Sequence, residues 1–186
     1  MKHPLVKEII FSREQIQERT KVLAEEISQY YKEQKTESLL CIGLLKGCIP
    51  FYAEFIANYN GNCETDYMVV SSYRGGIKTS GEPKILLDVN TPLKDRDVLI
   101  IEDIIDSGFT LEYIKHYFIN RGAKSVKIVT LLDKKVGRKA DIKPDWYGFD
   151  VDDEFIIGYG LDYQEKLRNL PYIATCDTDK LKDWKW

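Results

Sequence analysis

The stretch Val98 to Thr110, VLIIEDIIDSGFT, decides the fold of this 186-residue chain. Val98 to Ile101 is a continuous apolar run, as expected of a strand buried on both faces. The acidic pair Glu102-Asp103 is read as its end. The turn Asp106-Ser107-Gly108-Phe109-Thr110 follows, and Leu111, Ile114 and Phe118 then recur at helical spacing. Gly122 is the expected stop of that helix.

The same alternation extends outward in both directions. Leu39 to Leu45, LLCIGLL, is a second apolar run of strand length. Lys46-Gly47 ends it, and Pro50 sits where a helix running to about Tyr59 can begin. Before it, Ser12 and Gln15 have capping-box spacing, and Ile16, Leu23 and Ile27 mark a helix to about Gln34. Further strands are expected at Thr65–Tyr73, Lys84–Val89, Ser125–Leu132, Tyr147–Val151, Phe155–Tyr159 and Pro171–Cys176. Arg74 to Pro83, RGGIKTSGEP, reads as a mobile loop by composition, and Lys134 to Pro144 as a polar stretch. Strands separated by helices imply an α/β fold with a parallel-core sheet and flanking helices.

Composition excludes several other classes. The chain is 44% hydrophobic and 31% charged, with 12 Gly and 6 Pro, ordinary for a globular protein. A net charge of -3 argues against a general nucleic-acid footprint, so no nucleic-acid partner is expected. Cys41, Cys48, Cys63 and Cys176 form no CxxC pair and have no histidine at zinc-ligand spacing. No apolar run is long enough to span a membrane, and the N-terminal residues do not read as a signal peptide. A reducing cytoplasm fits these features.

The chemistry follows from the strand end. In an open α/β sheet, ligands bind beyond the carboxyl ends of the strands. Adjacent strand residues point to opposite faces, so Glu102 and Asp103 are expected to converge only if the chain leaves the strand there. Together they suit ribose hydroxyls or Mg²⁺. The Asp106–Thr110 turn opens a helix, whose free N–H groups and dipole form an anion site. The dipole contributes only ~0.3–1 kcal/mol when exposed. Hydrogen bonds to a charged group contribute ~1.5–3 kcal/mol each, so the N–H groups dominate and a phosphate needs no lysine here. Taken alone, the stretch also fits solvated acids ahead of an N-capped helix.

VLIIEDIIDSGFT resembles the phosphoribosyl-pyrophosphate signature of type I phosphoribosyltransferases, and the chain is most similar to the hypoxanthine-guanine branch of that family. Four more segments carry the resemblance, in family order. LLKG at Leu44–Gly47 resembles the pyrophosphate loop, SSYRGG at Ser71–Gly76 the start of a flexible hood, LLDKK at Leu131–Lys135 the base-binding strand end, and FIIGYGLDYQEKLRNL at Phe155–Leu170 the purine hood. The resemblance implies one phosphoribosyltransferase domain over residues 1–186. It also implies a small hood subdomain built from the N-terminal segment and roughly residues 140–186.

Residue roles are carried over position by position. Glu102 and Asp103 would hold the ribose hydroxyls, directly or through Mg²⁺. Ser107, Gly108, Phe109 and Thr110 would cradle the 5-phosphate, and Asp106 would act as general base toward N7 of the purine. Lys46, Gly47 and Arg168 would bind pyrophosphate, with a Leu45–Lys46 peptide that is often cis in the family. Lys134 would donate to the 6-oxo group, Phe155 would stack on the base and the Ile156 backbone would meet its edge. Asp162 would help hold a second Mg²⁺, and Ser72 and Tyr73 would close a lid. The implied activity transfers a 5-phosphoribosyl group from phosphoribosyl pyrophosphate to hypoxanthine or guanine in purine salvage, by a homodimer or homotetramer. Phe109 and Asp133 depart from the pattern, which puts a polar or basic residue at the first and, in one branch, an aliphatic one at the second. Two alternatives are weighed. One is a regulator of the same fold that senses phosphoribosyl pyrophosphate and binds nucleic acid. The other is a sister enzyme using adenine, orotate or a pyrimidine.

Overall fold

The computed structural model describes residues 2–71 and 83–186. Its larger sheet has six strands in the order β4-β3-β2-β5-β6-β7. These are β2 (Leu39–Leu44), β3 (Cys63–Ser71), β4 (Lys84–Leu87), β5 (Asp97–Ile105), β6 (Ser125–Asp133) and β7 (Trp146–Asp150). All neighbours pair in parallel except the antiparallel β3–β4 edge. The apolar runs of the sequence are the central strands because both of their faces are covered. Leu39 and Cys41 of β2, Leu99 and Ile101 of β5, and Val129 and Leu131 of β6 enter one core with helices α1 (Arg13–Glu33) and α2 (Ile49–Asn58). The alternate residues Leu40, Ile42, Val98, Ile100 and Ile128 enter a second core with α3 (Phe109–Asn120), through Leu111, Ile114 and Phe118.

Local signals set the element ends. Gln15 N–H donates to Ser12 Oγ (3.3 Å) and Ser12 N–H to Gln15 Oε1 (2.8 Å), so the capping box at the start of α1 is present. Ser12→Ala removes one of these bonds and should lower stability by ~1 kcal/mol, read as a shifted denaturation midpoint with unchanged slope. Pro50 lies in the first turn of α2.

Three readings change. β5 does not end at Glu102-Asp103. It continues to Ile105, because Glu102, Ile104 and Ile105 stay in register with Thr130, Leu132 and Asp133 of β6. The expected strand Phe155–Tyr159 shrinks to β8 (Ile156–Ile157), because the backbone turns through positive φ at Gly158, Tyr159 and Gly160. A strand with no clear pattern in the sequence, β1 (Val6–Phe11), pairs antiparallel with β9 (Ile173–Cys176), and β9 pairs with β8. These three strands form a second, smaller sheet, and Gly160, just past β8, packs on Gly47 in the loop after β2. β7, within 140–186, is the edge strand of the large sheet. A last helix, α4 (Thr178–Leu181), follows β9. No helix of the described residues is long and apolar enough to cross a membrane.

Candidate active site

At the carboxyl end of β5 lies a cavity of about 570 Å³, lined by the continuous segment Glu102 to Leu111 together with Val70, Pro83 and Lys139. The chain turns into α3 through Gly108, whose φ is +86°. A side chain there would be strained, and its Cβ would lie 2.7 Å from Ile142 Cγ2 and 3.0 Å from Arg138 Cδ. Glu112 N–H, donating to Gly108 O (3.0 Å), makes the first bond of the helix. Among the described residues nothing accepts from the N–H groups of Ser107 and Gly108 in the preceding turn. Phe109 is 50% exposed.

Glu102 and Asp103 converge although the strand continues, because each side chain turns onto the backbone N–H of the next residue. Glu102 Oε1 accepts from Asp103 N–H (3.0 Å) and Asp103 Oδ1 from Ile104 N–H (2.7 Å). Burial, then the adjacent Asp103 charge, pushes the Glu102 carboxyl well above its usual range. Burial also raises Asp103, against the bonds it accepts and the charge of Arg168. The same two carboxylates, after burial, push up the Cys48 thiol at the start of α2.

Asp103 faces the loop after β2. A Cβ on Gly47 would overlap its carboxylate, and a Cβ on Gly160 would overlap the Gly47 carbonyl. The Leu45–Lys46 peptide is cis. Lys46 Nζ pairs with Glu165 Oε2 (2.8 Å), and Arg168 Nη2 with Asp162 Oδ1 (2.9 Å) and Glu165 Oε1 (3.1 Å). Arg168 Nη1 donates to Gly160 O (2.8 Å), while its buried Nε has no partner among the described residues. Lys46, Gly47, Asp162 and Arg168 thus meet beside the acidic pair.

On the other side, Lys134 N–H donates to Ile105 O (3.0 Å), placing that residue next to Asp106. Its ammonium pairs with Asp153 Oδ1 (2.9 Å), at the turn that carries Phe155. Phe155 is 43% exposed and meets Tyr163 edge-on, while Ile156 is buried in β8. Ser72 and Tyr73, the expected lid, lie outside the described residues.

Residues 12–164 match the family model of the phosphoribosyl transferase domain. The chain belongs to the phosphoribosyltransferase family. Among relatives of this phosphoribosyltransferase, the hypoxanthine-guanine phosphoribosyltransferase of Bacillus subtilis is 52% identical over 174 residues, covering 94% of each chain. That of Lactococcus lactis is 51% identical over 169 residues, covering 91% of this chain and 90% of the relative. A solved hypoxanthine phosphoribosyltransferase from Staphylococcus aureus superposes with a TM-score of 0.89 at 41% identity, over 96% of this chain and 95% of that one. One from Trypanosoma cruzi, studied for the role of its C-terminal region in oligomeric state and activity, gives 0.92 at 32% identity over 98% and 97%.

Sequence reasoning missed one part of the site. Gly137, Arg138 and Lys139 lie in the stretch read only as polar. A Cβ on Gly137 would overlap Asp106 Oδ1, Arg138 Nε donates to Asp106 O (2.9 Å), and Lys139 lines the cavity. The one available signal was Asp133, whose departure from the family pattern had no explanation in the sequence. It is buried and paired with Arg138.

Proposed function

We propose that this chain transfers the 5-phosphoribosyl group of phosphoribosyl pyrophosphate to a 6-oxopurine, hypoxanthine or guanine, releasing pyrophosphate and supplying purine salvage. One observation carries the reading. The acidic pair, the turn of free N–H groups and Asp106 share one cavity, with Lys46 and Arg168 on one side and Lys134 and Phe155 on the other.

The 5-phosphate sits on the N–H groups of Ser107 to Thr110, and Glu102 and Asp103 accept from the ribose hydroxyls. Lys46 and Arg168 receive the pyrophosphate. The free, buried Nε of Arg168 is a donor suited to one of its oxygens. Phe155 stacks on the base, Lys134 donates to its 6-oxo oxygen, and the Ile156 backbone meets its edge. The bond from C1 to the pyrophosphate oxygen breaks as a purine nitrogen bonds C1, and Asp106 accepts the proton at N7.

The residues present fit Mg²⁺. Glu102 and Asp103 are two adjacent carboxyls whose burial raises both toward protonation, and a cation between them would offset that penalty. Mg²⁺ commonly takes one or two carboxylates and completes its shell with substrate oxygens and water. Asp162 would hold a second ion by exchanging its bond to Arg168. Bound Mg²⁺ screens the charge of the leaving pyrophosphate. A single domain with a hood, a cytoplasmic location and a homodimer or homotetramer complete the reading.

The regulatory alternative has no support among the relatives named above. The test is incubation with phosphoribosyl pyrophosphate, Mg²⁺ and, separately, hypoxanthine, guanine, xanthine, adenine and orotate. Nucleotide forms with hypoxanthine or guanine and not with adenine, whose 6-amino group offers Lys134 no acceptor, nor with orotate, a single-ring base that lacks the purine N7 for Asp106. No product from any 6-oxopurine would overturn the reading.

A further inference from the structure

Arg138 is held in place by every nitrogen of its guanidinium. Nε donates to Asp106 O (2.9 Å), Nη1 to Ile142 O (2.8 Å), and Nη2 to Ile105 O (3.3 Å) and to the carboxylate of Asp133. The side chain is 14% exposed and that of Asp133 4%. Asp133 ends β6 in register with Ile105 of β5, so the negative charge stands beside the point where the chain leaves the sheet. The next two residues continue the pattern, because Lys139 N–H and Ala140 N–H both donate to Ser107 O at 3.0 Å.

These bonds fix three successive peptide units, 105–106, 106–107 and 107–108, by their carbonyls. In a trans peptide the C=O and N–H point in opposite directions. Carbonyls turned toward the 138–140 segment therefore turn the N–H groups of Asp106, Ser107 and Gly108 the other way, into the cavity. Guanidinium is the side chain for this task. It is planar, always charged, and can reach several acceptors at fixed angles, whereas a lysine ammonium is a compact point charge. Asp133 neutralises it where it is buried.

We propose that Arg138, neutralised by Asp133, is the positioning residue that aims the Ser107 and Gly108 N–H groups of the phosphate cup and orients Asp106. It touches neither substrate. The inference rests on the cup holding the 5-phosphate, as argued above.

The test is steady-state kinetics of R138K, varying phosphoribosyl pyrophosphate and hypoxanthine separately. KM for phosphoribosyl pyrophosphate should rise at least tenfold, with KM for hypoxanthine changed less than threefold. A merely structural residue would lower the folded fraction, and so the apparent kcat, without moving one KM selectively. A phosphoribosyl pyrophosphate KM within twofold of wild type overturns the proposal. If R138K does not accumulate as folded protein, D133N decides. It keeps the shape and removes the charge, and should raise the same KM at least threefold, an unchanged value again overturning the proposal. Active wild type with unaltered variants sinks this inference alone. Wild type that makes no nucleotide sinks the transfer reading and this one with it.

Discussion

Asp106→Asn lowers kcat by about 10²–10³-fold and leaves KM for phosphoribosyl pyrophosphate within about threefold, a loss within the range found for a positioned general base. The substitution is close to isosteric, and the backbone around it is held independently. Asp106 O accepts from Arg138 Nε, Ile105 O accepts from Lys134 N–H, and Ser107 O accepts from Lys139 and Ala140. One side-chain oxygen lies against Gly137, which has no Cβ to meet it. Removing the charge therefore removes a proton acceptor while the cup keeps its shape. Separate measurement of kcat and of each KM checks this. Unchanged kcat would remove Asp106 from the base role, and a large rise in the phosphoribosyl pyrophosphate KM would instead make it part of the cup.

What was legible in the sequence was what local pattern determines. Val98 to Ile101 and Leu39 to Leu44 are apolar at every position because alternate residues enter different cores. Leu111, Ile114 and Phe118 announced the buried face of α3. The continuation of β5 was hidden because carboxylates look like the end of a buried strand. Only the register with β6, more than twenty residues away in sequence, shows the ladder continuing. β1 was hidden for the opposite reason. Three of its six residues are exposed, and it exists through pairing with β9 across the length of the chain. Arg138 belongs to the same class. Its partner Asp106 is 32 residues away, and nothing in a polar stretch marks which of its cations turns inward.

Gly47→Ala lowers kcat/KM for phosphoribosyl pyrophosphate by about 10²-fold or more, the scale expected when reacting groups are displaced by about 1 Å. The added Cβ would overlap the carboxylate of Asp103, and neither side can easily give way. Asp103 is on β5, and its other oxygen accepts from Ile104 N–H at 2.7 Å. Behind Gly47, its carbonyl packs so closely on Gly160 that a Cβ there would overlap it too, and Gly160 O accepts from Arg168 Nη1. Moving the loop therefore moves Gly160 and Arg168, and moving Asp103 separates it from Glu102. Either way the loop after β2 and the acidic pair lose their mutual placement. Such overpacking costs about 1–3 kcal/mol of stability, so a thermal melt should show a shifted but cooperative transition. Gly61→Ala is the control. Gly61 is exposed and its Cβ meets only the ring of Tyr59 (2.9 Å), which packs on the core beside Phe55 and not on the site, so any strain should appear as lost stability while kcat/KM stays within about twofold of wild type. Equal activity of the Gly47 and Gly61 variants would mean that Asp103 and the loop after β2 do not act together on the donor substrate.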